Sequence, residues 1–197
     1  MKYDAVYENY MIKVQEYIQK LAPITTEQFL IIKPYLELRS FDKKVTIINK
    51  GDIENYLNLV INGIVRKYTK SKGRESTIQL ATEGHIIQAE ISFHERTPSR
   101  VILETIEPTL LVSLSHQNVQ KLLEEYEFAE DLAIRILYFM FIIKDQKSFN
   151  QLRRNTRERF LEFVNQHPHM LQRVPQKILA SYLDIEPETF SRLKHLV

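Results

Sequence analysis

Between Gly51 and Gly84 the chain reads "GDIENYLNLVINGIVRKYTKSKGRESTIQLATEG", and this stretch decides the fold. All four glycines of the 197-residue sequence stand in it, Gly51, Gly63, Gly73 and Gly84, separated by 12, 10 and 11 positions. Between them lie short alternating or β-branched runs, "YLNLVI", "IVRKYT" and "STIQLA", with "KVTIIN" just before. Glycine supplies turn conformations that other residues resist. Short strands punctuated at this rhythm predict an all-β sandwich or barrel. Downstream, "RVILETIEPTLLVSLS" (Arg100–Ser115) adds two strands around a turn at Glu107-Pro108.

Helices flank this region. Over residues 4–36, Val6, Tyr10, Val14, Tyr17 and Leu21 recur at three- and four-residue spacing. "PITTEQFLIIKPYL" then predicts a second short helix, capped by Thr25 or Thr26 and closing near Pro34. From His116 the pattern is helical again. Between Glu127 and Phe149, Ala129, Ala133, Ile136, Met140 and Ile143 follow the 4-3-4-3 spacing of a helix-pair seam. Ile134, Leu137 and Phe141 form a second apolar stripe. A helix apolar nearly all round is buried on both sides. One stripe packs on the β-domain; the other takes the same helix of a second subunit, or further core if the chain is a monomer. "ILYFMFII" (Ile136–Ile143) falls far short of the roughly 20 apolar residues of a membrane span.

Composition removes several function classes. The sequence has no cysteine, which rules out disulfides, iron–sulfur clusters, thiolate zinc and thiol catalysis. Its first residues mix acids with apolar side chains, unlike a secretion signal, so a cytoplasmic protein is expected. No nucleophile elbow, phosphate loop or dinucleotide fingerprint occurs, and an enzyme is not expected. The six histidines show no ligand spacing, "HPH" at 167–169 included, so neither metal nor cofactor is expected. Residues 151–197 hold eight basic and five acidic side chains, a surplus too small to identify a nucleic-acid partner by itself.

Three ordered segments carry a family resemblance: "KGDIENYLNLVINGIVRKY", "KGRESTIQLATEGHII" and "TRERFLEFVNQHPHMLQRVPQKILASYLDIEPETFSRL". From about Leu38 to Val197 the chain resembles the transcription regulators related to the cyclic-AMP receptor protein and the fumarate–nitrate regulator, the Crp/Fnr family. The resemblance implies an α+β fold: an N-terminal β-roll of the cyclic-nucleotide-binding jelly-roll kind, a long dimerisation helix and a C-terminal winged helix-turn-helix. These would occupy residues 1–126, 127–150 and 151–197. It also implies a homodimer on an inverted repeat of double-stranded DNA, contact with RNA polymerase, and no membrane.

In that reading Gln176–Leu183 is the bracing helix, anchored by Ile178, Leu179 and Leu183. Asp184 stands where the family has glycine and tolerates the left-handed turn better than most residues. Pro187 suits the first position of the second helix. Phe190 and Leu193 face inward, leaving Glu188, Thr189, Ser191 and Arg192 outward. By the resemblance, Glu188 and Arg192 sit at base-reading positions, where arginine donates two bonds to guanine and glutamate accepts from cytosine. The same spacing also makes an ordinary helix-surface ion pair. Lys177 is either a phosphate contact or a solvated lysine.

The family's nucleotide cassette corresponds to "AEISFHERTPSRV" (Ala89–Val101). Glu90 takes the place of the acid that holds the ribose. Ser99 stands where the phosphate-binding arginine is expected, and Arg100 where Ser or Thr is expected. Ala89 and Val101 replace a glycine and an alanine. On a strand, neighbouring side chains face opposite ways, so an inward Ser99 sends Arg100 outward. A buried phosphate without a cation is costly. Cyclic-AMP binding is therefore expected to be lost or weak, unless a bulge returns Arg100 to the pocket. A nucleotide sensor whose DNA binding is lost is the alternative reading.

Overall fold

The computed structural model describes residues 2–195; Met1, Leu196 and Val197, which belong to the terminal segments set out above, lie outside the described residues. Two helices come first, α1 (Lys2–Leu21) and α2 (Thr26–Ile32). Thr25 caps α2 through a complete capping box with Gln28, which satisfies two otherwise orphaned backbone donors. A short 3-10 turn at Lys33–Tyr35 leads into eight strands: β1 (Leu36–Phe41), β2 (Thr46–Ile48), β3 (Tyr56–Asn62), β4 (Val65–Ser71), β5 (Arg74–Ala81), β6 (Ile86–Ile87), β7 (Ile102–Thr105) and β8 (Thr109–Ser115). A short helix α3 (Glu90–Glu95) interrupts them between β6 and β7.

The strands form two antiparallel four-stranded sheets, ordered β1-β8-β3-β6 and β2-β7-β4-β5. Strand β3 shows why its sequence is a nearly unbroken apolar run. Val60 points between the sheets, where it joins Val65, Leu103 and Leu111 in one core cluster. Leu59 and Ile61 point the other way and join Met11, Val14, Phe29 and Leu122 from the helices. Both faces of the strand are covered, so alternation gives way to continuous burial.

Helix α4 (His116–Glu125) is capped by Ser115 and leads into α5, one continuous helix over Glu127–Arg153. The helix-pair seam expected on α5 is turned inward over its first half, while Ile143 at its end is 47% exposed. Ala129 and Leu132 are buried, and Ile136 and Met140 pack beside them on the cluster that covers the outer sheet. The second stripe faces outward, with Ile134, Leu137 and Phe141 43%, 50% and 67% exposed. The reason is local: the small alanines at 129 and 133 let α5 approach α1 and the sheet, and the bulkier stripe is left over. No described helix is long and apolar enough to cross a membrane.

The remaining helices are α6 (Thr156–Gln166), α7 (Met170–Arg173), α8 (Gln176–Leu183) and α9 (Pro187–Lys194). Among the described residues no strand follows β8, so the wing implied by the resemblance has no strand there. Phe160, Phe163, Leu179 and Phe190 fill a third core cluster, which Ile64, Leu80 and Ile106 of the roll complete.

The turn between β3 and β4 needs glycine for two reasons. Gly63 has φ +100, and a Cβ there would lie 2.5 Å from Thr109 Oγ1 and 2.7 Å from the Pro108 carbonyl. Gly73 has φ +80 but open space around it. Gly63→Ala is therefore expected to lose about 2–4 kcal/mol of stability, strain and clash together. Gly73→Ala is expected to lose about 1 kcal/mol. Urea unfolding followed by circular dichroism measures both; equal losses would refute the packing argument.

Candidate functional site

Two short helices near the C-terminus present the polar side chains singled out in the sequence. Helix α8 ends at Asp184, whose φ of 54 places it in the left-handed region. The Asp184 and Ile185 N–H groups donate back to the Ser181 and Ala180 carbonyls, closing the turn. Pro187 then opens α9. Phe190 is fully buried and meets the Phe160 ring edge-on at 5.3 Å. That anchor fixes the helix's rotation, so Glu188, Ser191 and Arg192 are exposed and Thr189 half-buried. Arg192 Nη2 donates to Thr189 Oγ1 at 3.2 Å. Among the described residues no ion pair joins Glu188 to Arg192, so the guanidinium is held by a neutral partner and Glu188 stands apart. Lys177 is exposed in the first turn of α8.

Several polar contacts hold these helices against the roll. Ser181 Oγ accepts from the Thr77 N–H at 2.9 Å and donates to the Glu75 carbonyl at 3.2 Å, both on the open edge of β5. Lys147 of α5 donates to the Ile78 carbonyl at 2.9 Å and lies 3.9 Å from the centre of the Tyr182 ring. Burial, with Lys67 adding repulsion, lowers the Lys147 ammonium to about 8. Arg173 at the end of α7 donates to Glu83 at 2.7 Å and to Glu107 at 2.5 Å. Burial alone would raise the Glu83 carboxyl. Its hydrogen bonds from Arg173, its own backbone and the Gly63 N–H outweigh this and hold it at about 2. On the solvent side, Arg74 reaches Glu186, just before α9, at 3.6 Å.

A second cluster surrounds the cassette. Glu90, Ser99 and Arg100 line one small cavity of about 60 Å³ together with Ala89, Pro98 and Val101. The strand alternation assumed for Ser99 and Arg100 does not apply, because β7 begins only at Ile102 and both lie in an irregular segment. Ser99 is nonetheless buried, pinned by backbone bonds with Gly51 and Asp52, and its hydroxyl donates to the Val101 carbonyl at 2.7 Å. Arg100 is exposed. Glu90 lies in the first turn of α3, where Lys67 Nζ reaches its carboxylate at 2.5 Å and the Gln88 carbonyl at 3.3 Å.

Sequence reasoning missed Lys67, Glu54 and Arg96. Lys67 stands two residues from Val65 on β4, so period-two counting alone puts it on the interior face. Glu54 is 2% exposed, and burial raises its pKa against hydrogen bonds from the Tyr56 and Ala89 N–H groups. Arg96, at φ 53, donates to the Glu54 carbonyl at 2.6 Å and to Asn55 Oδ1 at 2.5 Å. Nothing local in the sequence marks these two. No group of three or more metal-ligand side chains occurs among the described residues.

Residues 38–126 match the family described as the cyclic nucleotide-binding domain. No curated protein sequence matches the chain. Among solved structures, the chain is similar to FixK2 from Bradyrhizobium japonicum, at 18% identity and a TM-score of 0.66, covering 82% of this chain and 83% of that one. It is similar to a cyclic nucleotide-binding domain from Methylobacillus flagellatus, at 19% identity and a TM-score of 0.65, covering 72% and 82%. It is also similar to the Thermus thermophilus catabolite activator protein, at 20% identity and a TM-score of 0.56, covering 91% and 85%. The matched domain family and these neighbours bear out the expected roll and its flanking helices as the fold.

The Glu83–Arg173 pair carries a pH signature. Glu83 is held at about 2 in the folded protein against 4.5 ordinarily, so between these values the unfolded chain binds the extra proton. The stability it lends is complete above this window and is lost as pH falls through it. Arg173→Ala is expected to cost about 1–2 kcal/mol at pH 7, solvent screening the rest. It should also flatten the acid limb of stability against pH in urea unfolding. An unchanged acid limb would refute the pairing.

Proposed function

We propose that this chain is a dimeric, sequence-specific DNA-binding transcription regulator whose roll no longer binds cyclic nucleotides. The observation that carries the reading is the division of α9: Phe190 is sealed into the core while Glu188, Ser191 and Arg192 stand in solvent on the opposite side. A second helix of a helix-turn-helix needs that division to enter the major groove with its N-terminal residues against base edges. Arg192, already steadied by Thr189, is placed to read guanine; Glu188 is free to accept from cytosine, and Lys177 to meet a phosphate. The fold likeness to FixK2 and the catabolite activator protein supports the same reading.

The outward stripe of α5 supports the dimer. Ile134, Leu137 and Phe141 are exposed on a helix of 27 residues, a long apolar surface for a protein on its own. Pairing this stripe with its copy buries it and sets two α9 helices on one duplex, their half-sites about 34 Å apart. Contact with RNA polymerase follows from this role and has no surface of its own assigned.

The closed cassette supports the loss of nucleotide binding. Its cavity of about 60 Å³ is well below the roughly 300 Å³ at which small-molecule pockets begin. Lys67 already occupies Glu90, and Arg100, the cation a phosphate would need, is exposed.

Two measurements test the proposal. Fluorescence anisotropy against genomic fragments should find salt-sensitive binding with two chains per duplex. Arg192→Ala should remove sequence preference at about 1–3 kcal/mol per lost bidentate contact, while Lys177→Ala weakens all sequences alike. Absence of retention on every fragment would favour a sensor that has lost DNA binding. Calorimetric titration with cyclic AMP or cyclic GMP should show no binding heat; micromolar affinity for either would overturn the closed-cassette reading.

A further inference from the structure

The tip of the β4–β5 hairpin reads "TKSKGR" (Thr69–Arg74), three cations with no acid among them. Lys70, Lys72 and Arg74 are all exposed. Ser71 pairs with Arg74, so Lys72 and Gly73 alone form the turn, at φ 49 and φ 80. Positive φ at both central residues gives the two-residue turn whose twist matches the flanking strands. Asparagine is favoured at the first of these positions; here a lysine takes it. The acids nearby are already engaged. Glu75 accepts from Arg66 at 2.9 Å, and Glu186 lies 3.6 Å from Arg74. Among the described residues no acid forms a salt bridge with Lys70 or Lys72.

The position of the tip gives these charges a partner. Ser181 of α8 bonds to the Thr77 N–H and the Glu75 carbonyl, which fixes the register of β5 along α8. One residue beyond Glu75, Arg74 meets Glu186, which caps α9 and precedes Pro187. That exposed pair adds little stability, but it sets the tip beside the end of α9 that carries Glu188. We infer, resting on the reading of α9 as a groove-entering helix, that the hairpin tip is a second DNA contact: Lys70 and Lys72 meet phosphates on the groove's rim. The major groove is about 12 Å wide, so a helix lying in it has phosphates roughly 6 Å to either side. A lysine's four-carbon stem spans such a distance, and its compact charge meets a phosphate without a fixed geometry. Contacts of this kind hold the protein in register and leave sequence preference to Glu188 and Arg192. A protein partner fits less well, because the tip offers no aromatic or aliphatic anchor for it to bury.

The test sets wild-type protein beside the Lys70→Gln/Lys72→Gln double variant in fluorescence anisotropy. The probes are a genomic fragment that the wild type retains and a duplex of unrelated sequence. With both lysines engaged in both subunits, the plot of log affinity against log salt should flatten by about 3–4. Affinity at about 0.1 M salt should fall at least tenfold on both duplexes alike. The preference between the two duplexes should survive, in contrast to Arg192→Ala. Lys43→Gln/Lys44→Gln removes two exposed lysines just before β2, at the opposite edge of the sheet, and should change the slope by less than about 1. Equal flattening by this second pair would reduce the effect to net charge and overturn the inference. So would an unchanged slope in the tip variant while the wild type binds. Loss of the dimer in the tip variant, read from its mass in solution, would assign the lysines to the subunit contact and overturn it too. Failure of the wild type to bind any duplex would refute the reading of α9 itself, and the tip contact with it.

Discussion

The open edge of β5 is the constraint on which the placement of the C-terminal helices depends. As the last strand of its sheet, β5 leaves backbone groups unpaired on one side, and such an edge invites another strand. Here α8 and α5 close it together. Ser181 uses one hydroxyl twice, accepting from Thr77 and donating to Glu75, as a neighbouring strand would. Lys147 takes the Ile78 carbonyl one residue further on. Lys147 loses hydration by doing so, which its lowered pKa records, and the Tyr182 ring face at 3.9 Å offsets part of that loss. With α8 fixed on the edge and Phe190 locked against Phe160, α9 has one rotation left, the one that turns Arg192 to solvent.

Charged side chains hold α3 against the roll by a different route. Lys67, buried on β4, pairs with the partly exposed Glu90 at the start of α3, and Arg96 laces the end of α3 to the Glu54–Asn55 loop. Glu54 itself is buried behind them, with two backbone N–H groups on its carboxyl and burial raising its pKa.

Features governed by a few neighbouring residues were legible in the sequence. The glycine rhythm marked the strands, the Thr25 capping box marked a helix start, and the left-handed Asp184 and Pro187 marked the break between the last two helices. One local reading went astray for a physical reason. Strand alternation was applied to Ser99 and Arg100, but that segment is held irregular by backbone bonds to Gly51 and Asp52. Spacing on α5 identified two apolar stripes without saying which of them meets the roll; the one that begins with Ala129 does. What stayed hidden was pairing across the chain: Arg173 with Glu83, Lys67 with Glu90, Ser181 with β5. Each residue is unremarkable in its own sequence neighbourhood and acquires a role only when the topology brings its partner near.

Helix α5 connects these features mechanically. Leu132 packs in the cluster on the outer sheet, and Lys147, about four turns along the same helix, holds the Ile78 carbonyl on the β5 edge and the Tyr182 ring. Any displacement of α5 along the roll therefore reaches the seat of α8 as well. The contacts that register such a shift are the polar ones at the far end, because the hydrogen bonds of Lys147 and Ser181 are made or lost over distances that apolar packing absorbs.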